Sequence, residues 1–417
     1  MSNIIKYINF TSGDLIAFTV EQPDLYVDQD SNIEQLITNI NNNMVSSSFR
    51  FLVLYPDETV NYEIPPADIK IGGSWNENYQ NGQRRSVSFT LYNEDDKYTP
   101  DINTFWTGTR LRLEFGVHLL NGQTIWFQKG IFIINSITPS KSSSGKEVQI
   151  SASDKFSLFE DSTGRIDSTY EIPVGSDIES VVRSILLTDM GNGFPLDSQD
   201  IIYHSALKQK VTQATISKSA GDTMGSILLE LATQLSAEIF YNTSGQLTLV
   251  PINEVTSDQD KPLIYEYETI KGDISQLDFS FDMNQIINRI IVVGNSNNSG
   301  VHKYVALNDD PGSPLCYQRI GYRTGSIIND TNITSDFLAK ERAEYELRQQ
   351  LIIKSSSNAS VLFNPLLSVN NLIAISDDSF NLSRERFLIT GLSCSLDFSS
   401  QMNISFSNIR NLPFITK

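Results

Sequence analysis

The side chains able to do chemistry in this 417-residue chain are few and scattered. There are three histidines, His118, His204 and His302, and none has a second His, Cys or carboxylate at zinc-ligand spacing. A metal site or a nucleophile–base triad would have to converge from distant segments. Cys316 and Cys394 stand far apart with no C-x-x-C, and read as two buried free thiols of a protein folded in a reducing cytosol. Adjacent aspartates occur at Asp95-Asp96, Asp309-Asp310 and Asp377-Asp378. Glycosidase chemistry needs two carboxylates facing each other across a cleft, whereas neighbours in polar sequence read as turn residues. Asp28, Asp30 and Asn32 begin like a calcium loop, but Ile33 replaces its glycine and Asn39 its closing glutamate. No phosphate-cradling glycine loop, dinucleotide fingerprint or nucleophile elbow is present. Trp75, Trp106 and Trp126 fall in one strand-rich segment and read as core or interface anchors rather than a sugar platform.

Charge narrows the classes further. The chain carries 31 Lys+Arg against 49 Asp+Glu, a net −18. Nucleic-acid readers need clustered cations, and the only tight basic pair is Arg84-Arg85. A single pair beside a turn is expected to be a solvated strand end, with an anion contact as the alternative. No stretch approaches the roughly 18 apolar residues of a membrane span, and MSNIIKYINF lacks the apolar run of a signal peptide.

The elements that would have to position any site come in three blocks. Residues 1–165 read as strands: Phe49 to Tyr55, Arg85 to Tyr92, Arg110 to Val117, Ile125 to Ile134 and Glu147 to Ala152. Asn121-Gly122 predicts a hairpin turn, and SKSSSGK predicts a loop. One helix is expected after the capping box Ser31…Glu34. Residues 166–265 predict a helix after the box Ser176…Glu179, with Gly191 as its stop, and a second helix capped by Asp222. The hairpin AEIFY–QLTLV follows. This block is densest in negative charge, 5 basic against 13 acidic residues. From 266 the pattern returns to strands, with a dense one at Ile286 to Val293. A helix from Ser335 to Leu351 carries Ala339, Ala343, Leu347 and Leu351 on one face. Strands close the chain at Ala359 to Phe363, Asn371 to Ile375, Arg386 to Phe398 and Met402 to Phe406.

The order of these parts, through GIFIINSITPSKSSSGKEVQISASDKFSLFE, YEIPVGSDIESVVRSIL, SAGDTMGSILLELATQLSAEIFYNTSGQLTLVP, SQLDFSFDMNQIINRIIVVG and ERFLITGLSCSLDFSSQMNISF, resembles the central tail hub of bacteriophages. That baseplate hub, or tail-tip, fold is shared with the first part of type VI secretion spike proteins. The resemblance implies a mainly β chain with two similar β-barrel domains, 1–165 and 266–417, and a small α/β insertion domain, 166–265. It implies a homotrimer whose six barrels form a pseudo-hexameric ring, a symmetry adaptor between a sixfold tail tube and a threefold spike. The implied partners are the chain itself, a tail tube or distal tail ring protein, a spike or tip protein and a tape-measure protein. DNA would pass through without specific binding during genome ejection. The implied place is the virion tail tip or baseplate, after folding in the host cytoplasm. The chain ends soon after its final strands, so no cell-wall hydrolase is carried over. No residue is assigned a catalytic, cofactor-binding or metal-binding role, and no cofactor is expected. The competing readings are a receptor- or carbohydrate-binding module of the tail, and a glycoside hydrolase. Ile133 and Ile137 of the first block are expected to match Ile389 and Ser393 of the last.

Overall fold

The computed structural model describes residues 3–8, 15–20, 46–101, 105–118, 122, 124–143, 145–160, 162–189, 191, 193–251, 263–279, 286–297, 300–330, 333, 335–354, 357–397 and 401–408. The expected helix after Ser31, the calcium-like run at 28–39 and Asn121 lie outside them.

After a hairpin of β1 (Asn3–Ile8) and β2 (Leu15–Val20), seven strands follow. They are β3 (Ser46–Leu54), β4 (Val60–Glu63), β5 (Ile69–Asn78), β6 (Arg85–Tyr92), β7 (Arg110–His118), β8 (Thr124–Ser142) and β9 (Gly145–Asp154). Period-two alternation buries Val87, Phe89 and Leu91 of β6 and Leu111, Leu113 and Phe115 of β7. The serine-rich stretch expected as a loop is strand: β8 runs on to Ser142 and pairs with β9 down to Ser142–Gly145. Ser140, Ser142 and Ser143 are exposed, so no buried polar group among them argues against the extended ladder.

The middle block contributes β10 (Tyr170–Ile172), α1 (Ile178–Leu186), β11 (Ile202–Tyr203), β12 (Ile216–Lys218), α2 (Met224–Gln234), β13 (Ala237–Tyr241) and β14 (Leu247–Pro251). Its core, Ile166 through Leu249 together with Phe156 and Phe159 from the end of the first block, is a hydrophobic cluster separate from the main one. Both helices start one residue later than the spacing predicts. Asp177, not Ser176, caps α1 by accepting from Ser180 N at 2.9 Å, and Thr223, not Asp222, caps α2 through Ser226 N. Asp222 instead accepts from Ser219 N. α1 ends at Leu186, ahead of Gly191.

The last block holds β15 (Leu263–Glu268), β16 (Ile274–Asp278), β17 (Arg289–Asn297), β18 (Gly300–Leu307), β19 (Ile328–Asn329), α3 (Asp336–Lys354), β20 (Ser357–Leu362), β21 (Leu372–Asp377), β22 (Leu382–Ser395) and β23 (Gln401–Asn408). The expected boundary between residues 265 and 266 falls inside β15, which pairs with β21. The dense strand starts at Arg289 rather than Ile286, because Asn288 turns its buried amide to Leu315 O and Gly321 O. Ala339, Ala343, Leu347 and Leu351 form the buried face of α3, as their spacing predicts.

The two β blocks share one 13-stranded sheet. Its main path is β16-β20-β23-β22-β5-β6-β9-β8-β7-β3-β4, with β21 on β22 and β15 on β21. Within it lies an internal repeat. The first block has the lateral order β5-β6-β9-β8-β7-β3, and the last has β16-β20-β23-β22-β21-β15. Numbered along each block, the two orders are the same. One difference is that β3 lies antiparallel to β7, while β15 lies parallel to β21. The match extends to single hydrogen bonds. Ile134 donates to Thr109 O and accepts from Gly108 N, while Ile389 donates to Asn371 O and accepts from Asn370 N. Gly108 (φ 88°) and Asn370 (φ 67°) are both left-handed, the region glycine and asparagine tolerate best. A bulge follows in each strand, between Ile134 and Ser136 and between Ile389 and Gly391. Ile389 therefore matches Ile134, one residue along from the expected Ile133.

The shared left-handed turn is a stability test. Replacing Asn370 by Val should cost about 1–2 kcal/mol and Gly108→Val about as much. Asn370→Gly, which keeps the left-handed φ accessible, should cost less than Asn370→Val. Chemical denaturation of the three variants measures this.

Candidate functional site

The candidate site is a buried ionic junction built around the turn between β5 and β6. Arg84 and Arg85, expected on a solvated strand end, are buried, at 4% and 3% exposure. Their chemistry explains the burial. Arg84 donates from Nη2 to Glu238 of β13 at 2.8 Å and from Nε to Gln80 O, and its guanidinium lies 3.6 Å from the centre of the Phe240 ring. Arg85 donates to Glu77 and, at 2.6 Å, to Tyr241 O. The backbone N–H groups of both arginines donate to one carboxylate oxygen of Asp154, at 2.7 and 2.8 Å. Burial raises Asp154 to about 6, and those N–H groups oppose the rise.

The junction extends in two directions. Lys155, fully buried, donates to Asp197 at 2.8 Å and to Gly245 O at 2.8 Å, and pairs with Glu58. Tyr241 donates to the other oxygen of Asp197 at 2.7 Å. Tyr79 donates to Glu238, and its hydroxyl is pushed well up by burial first and by that carboxylate second. On the other side, Asn81 accepts from Ile239 N and donates to the Tyr345 hydroxyl of α3 at 2.7 Å. Gly82 N donates to Ile239 O at 2.8 Å. One turn thus touches the first β block, the insertion and α3.

A second buried cation ties the two β blocks. Lys129 of β8 donates to Leu367 O at 3.1 Å and sits 5.7 Å from the Trp75 ring centre. Burial lowers it to about 8. Phe115 and Phe363 meet edge to face at 5.3 Å across the same seam. Cys394 lies here too, a buried free thiol raised to about 12 by desolvation, as Cys316 is buried and free elsewhere.

The remaining chemical candidates take structural roles. His118 bonds Thr124, His204 caps a short turn at Ala206, and His302 meets Asp336 at 2.9 Å, so the three are not brought together. Asp96 pairs with Lys146, Asp310 closes its turn on Gly312 N, and Asp377 accepts from Thr269 and Phe380 N. Trp75 is fully buried, Trp126 lies under Arg50 at 4.2 Å and Trp106 is 43% exposed. Among the described residues no group of three or more His, Cys, Asp or Glu could hold a metal ion. No helix there is long and apolar enough to cross a membrane.

The sequence matches no family model and no curated protein. Solved structures do match. A 43 kDa tail protein of prophage MuSo2 from Shewanella oneidensis aligns with TM-score 0.60 and 15% identity, over 88% of this chain and all of that one. The tail protein of Neisseria meningitidis MC58 aligns with TM-score 0.59 and 12% identity, over 88% and 99%. A chain of the Francisella PdpA–VgrG complex aligns with TM-score 0.51 and 10% identity, over 95% and 67%. The chain has the fold of these tail proteins. The tail-hub fold expected from the order of its parts is the one found: mainly β, barrel-like, with an α/β insertion.

Two measurements probe the junction. Arg84→Ala strands the buried Glu238 carboxylate and should cost about 3–5 kcal/mol. Adding Glu238→Ala should cost much less than a second such loss, giving a coupling above about 1 kcal/mol in a double-mutant cycle. For Lys129 the folded value lies below the unfolded value of about 10.4, so the unfolded chain binds more protons between these values. Stability of the parent relative to Lys129→Met should therefore rise from pH 8 to pH 10.5 and stay flat below 8. Urea midpoints across that range measure it.

Proposed function

We propose that this chain is a structural protein of a phage-type tail, the central hub of its tip or baseplate. The observation that carries this reading is the internal repeat. Two β blocks with one strand order and one left-handed turn give each copy two similar modules. Three copies would supply six modules, so a threefold assembly would offer a near-sixfold face. Such a ring adapts a sixfold tail tube or distal tail ring to a threefold spike or tip, and its opening serves the tape-measure protein and then the ejected DNA. Net charge −18 suits a wall that DNA slides past without binding. The likeness to named tail proteins over their whole length supports the tail assignment. The likeness to a chain of the PdpA–VgrG complex supports a place next to a spike. The blocks 1–165, 166–265 and 266–417 serve as two barrel modules and an insertion held to the first by the ionic junction.

The role asks for interfaces rather than a reacting site, and we assign no enzymatic activity. A sugar platform has little support, since the three tryptophans differ from buried to exposed and Trp126 is occupied by Arg50.

Native mass spectrometry of the full chain should give three copies per assembly. A reconstruction of the tail in which six copies occupy one ring would overturn the adaptor. Immunogold labelling should mark the distal end of the tail, and label along the tube shaft would count against the hub.

A further inference from the structure

Three of the junction's buried groups are arranged for more than an ion pair. Lys155 stands just after β9, and its amine is 2.8 Å from each oxygen of Asp197, in the stretch between α1 and β11. An atom equally close to both oxygens stands opposite the carboxyl carbon between them. Glu58, from the turn between β3 and β4, brings the third group. Its Oε1 is in ion-pair contact with the same nitrogen, at an angle that makes no hydrogen bond. Glu58 holds that place with a left-handed backbone, φ 68°, a conformation that residues with a Cβ adopt at a cost. The remaining contacts are polar and specific. Lys155 donates to Gly245 O, and Asp197 accepts from the Tyr241 hydroxyl at 2.7 Å and from Gln199 N at 3.0 Å.

The surroundings keep water out. Phe159 stacks on the Tyr241 ring with 6.4 Å between centres, and the Lys155 amine lies 5.1 Å from the centre of that ring. Side-chain exposure is 0% for Lys155, 1% for Asp197 and 9% for Glu58. Two charges shut away from water are costly, and a neutral amide in their place removes that cost. Holding amine and carboxyl in contact removes the entropic part of the barrier to joining them. Burial pushes the Glu58 carboxyl above its usual range, with Lys155 opposing the rise, which suits a group that takes and returns a proton. The junction's other buried cations lack this chemistry. Arg84 and Arg85 are guanidiniums, and Lys129 donates to a backbone carbonyl.

We propose that Lys155 and Asp197 condense, within the folded chain, to an isopeptide bond that staples the insertion to the first block. The Lys155 ammonium gives one proton to an Asp197 oxygen, which leaves a free amine and a neutral carboxyl. The nitrogen lone pair attacks Cγ, and the Nζ–Cγ bond forms as the carbonyl π electrons move onto oxygen. Glu58 takes a second proton from the nitrogen and delivers it to the hydroxyl. The Cγ–O bond breaks and water leaves. The third proton stays on the amide nitrogen, facing Gly245 O. Tyr241 and Gln199 donate to the two Asp197 oxygens, so the oxygen that stays has a donor while it carries negative charge. Nothing is oxidised or reduced, and no co-reactant is needed.

The test is the intact mass of the full chain, incubated folded at neutral pH and then measured under denaturing conditions. The chain should be lighter than its sequence by one water. Proteolysis should give fragments holding residues 155 and 197 that stay joined after denaturation. Lys155→Met should carry its full mass. Asp197→Asn should reach the same final mass as the linked parent, because ammonia leaves in place of water. Glu58→Gln, checked for folding by circular dichroism, should slow the joining at least about a hundredfold. A folded parent that keeps its full mass after prolonged incubation would overturn the proposal. So would a lost water that persists in Lys155→Met, or that maps to residues other than 155 and 197. Joining at the parent's rate in folded Glu58→Gln would overturn the role given to Glu58.

Discussion

The architecture depends on a backbone constraint. A strand that outruns its neighbour exposes a row of N–H and C=O groups that need partners wherever they are buried. β22 is such a strand, and β5 meets its groups from Gly391 to Ser395. That pairing makes two β blocks one hydrogen-bonded sheet and buries Trp75 and Cys394 opposite each other. Lys129 and the Phe115–Phe363 contact then close over the same seam.

The insertion is held differently. Its apolar cluster is separate from the main one and takes in Phe156 and Phe159 from the end of the first block, and charges join the two as well. Desolvating so many ions is costly, and such pairs seldom add net stability over apolar packing of the same volume. What they supply is geometry. The Arg84 fork, the Phe240 face and the Asp154 oxygen that receives two N–H groups fit one relative placement of turn and hairpin. In the hub role proposed above, such a joint would keep the faces offered to neighbours fixed.

The two modules have diverged where they meet the rest of the molecule. The last block inserts β17–β19 and α3 between β16 and β20, where the first block has, between β5 and β6, only the turn that carries Arg84. The two elaborations touch, through Asn81 and Tyr345. The outermost strands differ in direction, β3 antiparallel and β15 parallel. Equivalent modules with unequal margins are compatible with the threefold assembly proposed above.

The sequence by itself determined what local periodicity controls. Alternation placed β6, β7 and β23, helical spacing placed the buried alanine and leucine face of α3, and AEIFY–QLTLV gave β13 and β14. The order of such parts carried the tail-hub resemblance. Tertiary structure alone decided the rest. β5 had no legible pattern, since Gly72, Gly73 and a run of polar residues break its period, yet it joins the two blocks. Helix starts shifted by one residue because Asp177 and Thr223 reach the free N–H groups better than their neighbours do. Arg84 and Arg85 looked solvated because their partners, Glu238 and Tyr241, lie more than 150 residues away. A charge is buried or exposed according to what the fold brings against it, and that information does not reside in its flanking residues.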